Sequence, residues 1–187
     1  MSQASYHDEG GRELDRAREL ASIGAGHAAG ALGRLVNRAI WTEVPRAQAL
    51  GEGVAPFAAR AAEDGSAVFF ELTGGVGGMV AVVFSRASLE VIVTEMMGAQ
   101  AYGVESAVES AVREAGNILV SHYASAIADT LGTLVMPSVP LLAEQAGPGA
   151  LASLVSPGPS DSPRLILESR LFDPAHDVEG WLMLVLE

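Results

Sequence analysis

The chain repeats itself. Displaced by 95 residues, Asp15–Pro45 (DRARELASIGAGHAAGALGRLVNRAIWTEVP) aligns without a gap on Ser110–Pro140 (SAVREAGNILVSHYASAIADTLGTLVMPSVP). Identities fall at Arg18/Arg113, Glu19/Glu114, Ile23/Ile118, His27/His122, Ala29/Ala124, Ala31/Ala126, Val44/Val139 and Pro45/Pro140. Conservative pairs, Leu32/Ile127, Val36/Leu131 and Ile40/Val135, keep the same register. Two Ala-rich helices could share a few residues by chance. A Glu, a His and a closing Pro in one register make chance a poor explanation.

Each copy reads as a long helix followed by a strand. At about 100° per residue, Leu14, Ala17, Ala21, Ala25, Ala28, Leu32, Leu35 and Val36 share one helix face. In the second copy Val112, Gly116, Val120, Tyr123, Ile127, Thr130 and Leu131 form the matching stripe, so both stripes are assigned to the core. The helical pattern begins near Glu13. A β-prone segment follows each helix, Ile40–Leu50 and Leu134–Leu142, with Pro near its middle; that predicts an edge strand or a bulge.

The remaining segments also correspond between halves. Ser66–Thr73 and Gly77–Ser85 are expected to form a hairpin through Gly74-Gly75-Val76. Leu165–Phe172 and Gly180–Leu186 are its counterpart. Ala87–Met97 reads as a helix with Gly98 as C-cap. Glu52–Asp64 and Glu144–Pro163 are connectors, the second a candidate mobile loop from its GPG and SPGPSDSP strings. The expected fold is a pseudo-twofold α/β domain over 12–187, with halves at about 12–98 and 104–187. Each half is one long helix plus three strands, giving about six strands and three helices in all. Residues 1–11 carry no apolar periodicity and are expected to be a flexible N-terminus.

Composition narrows the function classes. A formal net charge of −12 disfavours a nucleic-acid surface, because phosphate backbones are repelled. The absence of cysteine removes disulfide and thiolate-metal chemistry and agrees with a cytoplasmic protein. No secretory signal is visible, and no run reaches the roughly 18 apolar residues of a membrane-spanning helix.

Opposite each core stripe lies another face. It holds Asp15, Glu19, Ser22, Gly26, Gly30 and Gly33 in the first copy. In the second it holds Ser110, Glu114, Asn117, Ser121, Ser125 and Ala128. Glu and its i+3 partner stand one turn apart, amid small residues. A solvated helix face usually carries Lys, Glu or Gln, and interior Gly costs about 0.5–1 kcal/mol relative to Ala. Such a lane suits either close approach of another backbone or packing within the molecule.

These residues carry a family resemblance. The pattern Asp/Ser-x3-Glu-x2-Asn, with Pro 23 positions after the Asn, resembles that of the CheC/CheX/FliY chemotaxis phosphatases, CheC above all. It is complete in Ser110, Glu114, Asn117 and Pro140. The first copy has Asp15, Glu19 and Pro45, but Ser22 where the family has Asn. The string ELASIGAGHAAGAL is otherwise similar to the ELxNIGxGHAAxAL run of CheC, and the likeness extends over nearly the whole chain.

The resemblance implies a hydrolase acting on the aspartyl phosphate of a phosphorylated CheY-like receiver domain. The helix pair would reach into the receiver's own active site, where Asn117 orients a water and Glu114 pairs with an active-site lysine. No cofactor of its own is implied; a divalent cation (Mg) would come from the receiver. Glu19 and Ser22 form a weak first site, with Ser22 degenerate because its side chain is shorter by an amide. Asp15, Gly26, Ser110 and Ser121 would line the docking surface. The family also implies CheD, a receptor deamidase, as a further partner, and the rival reading is a non-catalytic adaptor for CheD or a phosphorylated receiver.

Three features imitate other sites. Gly24-Ala-Gly26-His-Ala-Ala-Gly30 resembles a dinucleotide-binding glycine string, but such a string follows a strand and opens a helix, and this one lies inside a helical pattern. Gly74-Gly75-Val76-Gly77-Gly78 lacks the Lys-Ser/Thr of a P-loop. His27 and His122 fall beside the core stripes and are expected to be satisfied boundary residues rather than metal ligands.

Overall fold

In the computed structural model the described residues are 3–49, 65–144, 165–175 and 177–186. The connectors predicted over Glu52–Asp64 and, beyond Glu144, up to Pro163 lie outside them. Helix α1 spans Gln3–Val36, α2 Arg86–Met97 and α3 Glu105–Leu131, with a short 3-10 turn at Ala101–Gly103. The strands are β1 (Trp41–Thr42), β2 (Arg46–Ala49), β3 (Ser66–Gly74), β4 (Gly78–Phe84), β5 (Val135–Pro137), β6 (Leu141–Glu144), β7 (Leu165–Phe172) and β8 (Glu179–Leu186). They form one antiparallel sheet in the order β1/β2–β7–β8–β4–β3–β5/β6. Six strand positions are occupied as expected; the two outer strands are each broken in two.

The breaks have one cause and occur at equivalent places. Thr42 opposes Leu171 and Arg46 opposes Glu168, so four steps on the outer strand match three on β7. Pro137 opposes Leu72 and Leu141 opposes Phe69, the same extra residue against β3. Each is a bulge, and Val44-Pro45 and Val139-Pro140 occupy the two of them. Proline has no N–H to give a ladder, so an outer bulge is where it fits.

The halves exchange their outer strands. β1 and β2, from the first half, pair with β7 of the second; β5 and β6 pair with β3 of the first. The helices cover one sheet face, where a single core holds Ala21, Ala25 and Leu32 of α1, Leu119, Tyr123 and Ile127 of α3, and Val68, Phe70, Val82 and Leu184 of the sheet. α2 enters through Ser85, whose hydroxyl oxygen accepts from the Ser88 N–H at 3.3 Å, and leaves through Gly98 at φ +93°. Buried Ser88 anchors it to β8, its hydroxyl donating to the Glu179 carbonyl at 2.7 Å.

Three expectations need correction. α1 begins at Gln3, not near Glu13. The extra turns leave Gly11, Arg12 and Glu13 exposed, so they carry no apolar periodicity to read. Thr130 is exposed rather than core, with its hydroxyl donating back to the Ala126 carbonyl at 2.8 Å. His27 and His122 are exposed too; Arg34 of α1 donates to His122 Nε2 of α3 at 3.2 Å.

A buried carboxylate ties the C-terminal end of α1 to the β7–β8 hairpin. Burial pushes the Asp173 carboxyl up, but the Val178 N–H and the Arg38 guanidinium at 3.1 Å outweigh it and hold the pKa below the ordinary value. Arg38→Met is expected to cost about 1–3 kcal/mol, toward the lower end because Arg38 is partly solvated, as read by urea unfolding. A depressed carboxylate stabilises the fold above its unfolded pKa, and this contribution disappears as pH falls through the folded one. Between about pH 5 and 3 the wild type should therefore lose more stability than Arg38→Met.

Candidate functional site

Helix α3 is long because nothing interrupts it between Glu105 and its left-handed C-cap, Gly132 at φ +62°. One side turns Val112, Gly116, Val120, Tyr123 and Ile127 into the core, all buried. The opposite side therefore faces out, and Ser110, Glu114, Asn117, Ser121 and Ser125 are all exposed. Glu114 and Asn117 are one helical turn apart, and among the described residues neither side chain has a hydrogen-bond or ion-pair partner. A carboxylate and an amide with their bonding capacity unspent thus stand side by side on open surface.

α1 presents the corresponding lane. Asp15 and Glu19 are exposed and Ser22 is half-buried. Asp15 pairs with Arg18 at 3.6 Å, while Glu19 and Ser22 have no partner among the described residues. The small residues have two different explanations. A Cβ at Gly26 would meet nothing, and one at Gly30 would meet only the Arg34 side chain at 3.7 Å. Internal packing does not require glycine at either place. At Gly33 a Cβ would lie 2.7 Å from the Arg38 carbonyl oxygen, because the chain reverses there and the Arg38 N–H returns to Gly33. The lane is open surface over Gly26 and Gly30 and structural at its end.

The glycine string of α1 also holds a contact between the helices. A Cβ on Gly24 would fall 2.7 Å from two ring carbons of Tyr123, so the aromatic ring packs directly against the α1 backbone. Tyr123 is 1% exposed, and burial pushes its phenol up. The string serves helix packing, not a nucleotide. At the β3–β4 hairpin Gly74 has φ +108° with the Leu134 carbonyl against it, which only glycine accommodates.

Arg113, to which the sequence reading assigns no role, joins helix to strand. It donates to Glu109 at 2.8 and 3.0 Å and to the Pro140 carbonyl at 3.2 Å. The spacing between Asn117 and Pro140 thereby acquires a structural meaning: the bulge is fastened to α3 one residue before Glu114. The identity Arg18/Arg113 between copies was the available signal. Among the described residues there is no group of three or more His, Asp or Glu side chains that could hold a metal ion. No helix there is long and apolar enough to cross a membrane.

The fold is similar to that of solved CheX and FliY structures. The CheC-like family model matches residues 108–142, the stretch that carries Ser110, Glu114, Asn117 and Pro140. The chain is similar to the CheC-like family over that stretch. CheY-P phosphatase CheC of Bacillus subtilis (strain 168) is 29% identical over 174 residues, covering 89% of this chain and 83% of that protein. The structure of Thermotoga maritima FliY aligns with a TM-score of 0.68 at 20% identity, over 92% of this chain and 89% of that one. CheX in its complex with CheY, BeF3 and Mg from Borrelia burgdorferi aligns with a TM-score of 0.60 at 13% identity, over 89% and 97%. The structural likenesses show a shared fold.

Proposed function

We propose that this chain hydrolyses the aspartyl phosphate of a CheY-like receiver domain, using α3 as the working helix. One observation carries the reading: Glu114 and Asn117 project from an open helix face, without a partner among the described residues, in the segment that matches the CheC-like family. The relative from Bacillus subtilis is named a CheY-P phosphatase, and the CheX neighbour was solved with CheY, which supports a receiver as the partner.

The chemistry asks little of such a protein. The water oxygen bonds to phosphorus as the bond from phosphorus to the aspartate oxygen breaks. Aspartate leaves as carboxylate, and both water hydrogens depart on inorganic phosphate. An acyl phosphate has a good leaving group, so the remaining barrier is largely one of orientation. The Asn117 amide can accept from the water with its oxygen while its NH2 donates to a phosphoryl oxygen, and being neutral it adds no repulsion. Glu114 suits a lysine of the receiver and would fix the docked pose. The divalent cation belongs to the receiver. Ser110, Ser121, Asp15 and Gly26 border the approach, and Glu19 with Ser22 forms a second, weaker place, since a hydroxyl on one carbon reaches less far than an amide on two.

The test is direct. Candidate receivers are phosphorylated with a small phosphodonor, and loss of acyl phosphate is followed with and without this protein. Accelerated release of inorganic phosphate at catalytic amounts is expected. Tight binding of the phosphorylated receiver without turnover would favour the adaptor reading instead.

A further inference from the structure

The bulge beside α3 presents a hydrophobic side chain to solvent and holds it still. Val139 is 85% exposed. Four hydrogen bonds fix the residues around it. The Ser138 N–H donates to the Glu71 carbonyl at 2.8 Å, and the Glu71 N–H donates to Ser138 Oγ at 3.0 Å. Ser138 Oγ in turn donates to the Val139 carbonyl at 3.0 Å, and Arg113 holds the Pro140 carbonyl at 3.2 Å. Met136 and Leu141, exposed on either side of the bulge, extend the apolar edge.

The other copy makes this informative. Val44 is exposed to a similar degree, 78%, but Arg18, the counterpart of Arg113, makes no bond to its bulge among the described residues. Arg18 turns to Asp15 rather than to Pro45, and Glu43 stands where the second copy has Ser138, paired instead with Arg170 at 3.0 Å. The fastened bulge belongs to the copy that also has the complete Glu114–Asn117 pair. A preorganised apolar residue loses little freedom on contact, which is what an anchor for a partner requires.

Position and charge indicate the occupant. Glu109 and Arg113 flank the helix toward Pro140, and Ser110, Glu114 and Asn117 form the next lane outward, so the bulge borders the proposed site. A phosphorylated receiver brings negative charge to a chain of net −12 and to a rim holding Glu109 and Glu114. Affinity there is best supplied by short-range apolar contact that adds no repulsion. We infer that Val139 is an apolar docking residue for the receiver domain, seated by Arg113 and Ser138 and setting affinity rather than the rate of the bound complex. This rests on the receiver reading above.

The experiment measures Kd for a receiver activated by beryllofluoride and Mg, and KM and kcat for the phosphorylated receiver, with Val139→Ser, Val44→Ser and wild type. Thermal unfolding serves as a check, and both substitutions should leave it unchanged because the side chains are exposed. Val139→Ser is expected to raise Kd and KM about three- to tenfold with kcat within about twofold, and Val44→Ser to match wild type. Unchanged Kd and KM in Val139→Ser, with turnover intact, would overturn the docking role and leave the phosphatase reading standing. Equal weakening by both substitutions would overturn it as well, because the effect would not be local to α3. Weakened Kd without turnover by any form would keep the anchor and remove the hydrolase. A wild type that binds no receiver overturns both.

Discussion

Asn117→Ala should reduce receiver dephosphorylation by about a hundredfold or more while leaving receiver affinity nearly unchanged. The amide has no partner within the described protein, so its removal opens no cavity and orphans no buried group. Ala also raises helix propensity slightly at an exposed position. Stability should therefore hold, and the loss should appear in the single-turnover rate. Ser22→Ala is the natural contrast. If Ser22 orients a water poorly, its removal leaves most of the activity; abolition by Ser22→Ala with survival of Asn117→Ala would reverse the assignment of the two helices.

Gly24→Ala is the second large effect, and it concerns folding. Alanine at an interior helix position ordinarily stabilises by about 0.5–1 kcal/mol. Here its Cβ would sit 2.7 Å from the Tyr123 ring, in a core where the ring is 1% exposed and cannot swing outward. Overpacking costs about 1–3 kcal/mol, so the net expectation is destabilisation of about 1–2 kcal/mol by urea unfolding. The diagnostic is a double-mutant cycle. With Tyr123→Leu already present, Gly24→Ala should cost much less or stabilise, giving a coupling of about 1–3 kcal/mol. Additive effects would mean that the ring does not rest on α1 in solution.

Much of the fold is legible in the sequence, for reasons particular residues make plain. On α1, Ala21, Ala25, Ala28 and Leu32 recur at helical spacing and are buried; on α3, Glu114, Asn117 and Ser121 lie across the helix from buried Val112, Val120 and Tyr123 and are exposed. Pro45 and Pro140 announce interrupted edge strands, and both sit in bulges. The exchange of outer strands was not legible. A 95-residue repeat shows that two units match, but not that β2 prefers β7 over its own β3, since pairing partners over 100 residues apart leave no local pattern. The start of α1 is not legible because residues 3–11 carry no apolar periodicity. His27 and His122 mislead for a related reason: a histidine beside a core stripe can turn either way, and Arg34 draws His122 to the surface. For the site, the exposed Glu–Asn pair was readable and the fastening of its neighbouring bulge was not, because an arginine's choice between Glu109, Pro140 and solvent is settled only in three dimensions.

Gly24 under Tyr123 constrains the two copies unequally. The first helix carries Ser22 where the second carries Asn117, yet its backbone must keep a side-chain-free notch for Tyr123, the largest fully buried side chain of the other copy. Residue type on the outer faces thus differs between the halves, while shape where they touch is held. A half whose outer face has changed still has to be kept intact as the mould for the helix packed against it.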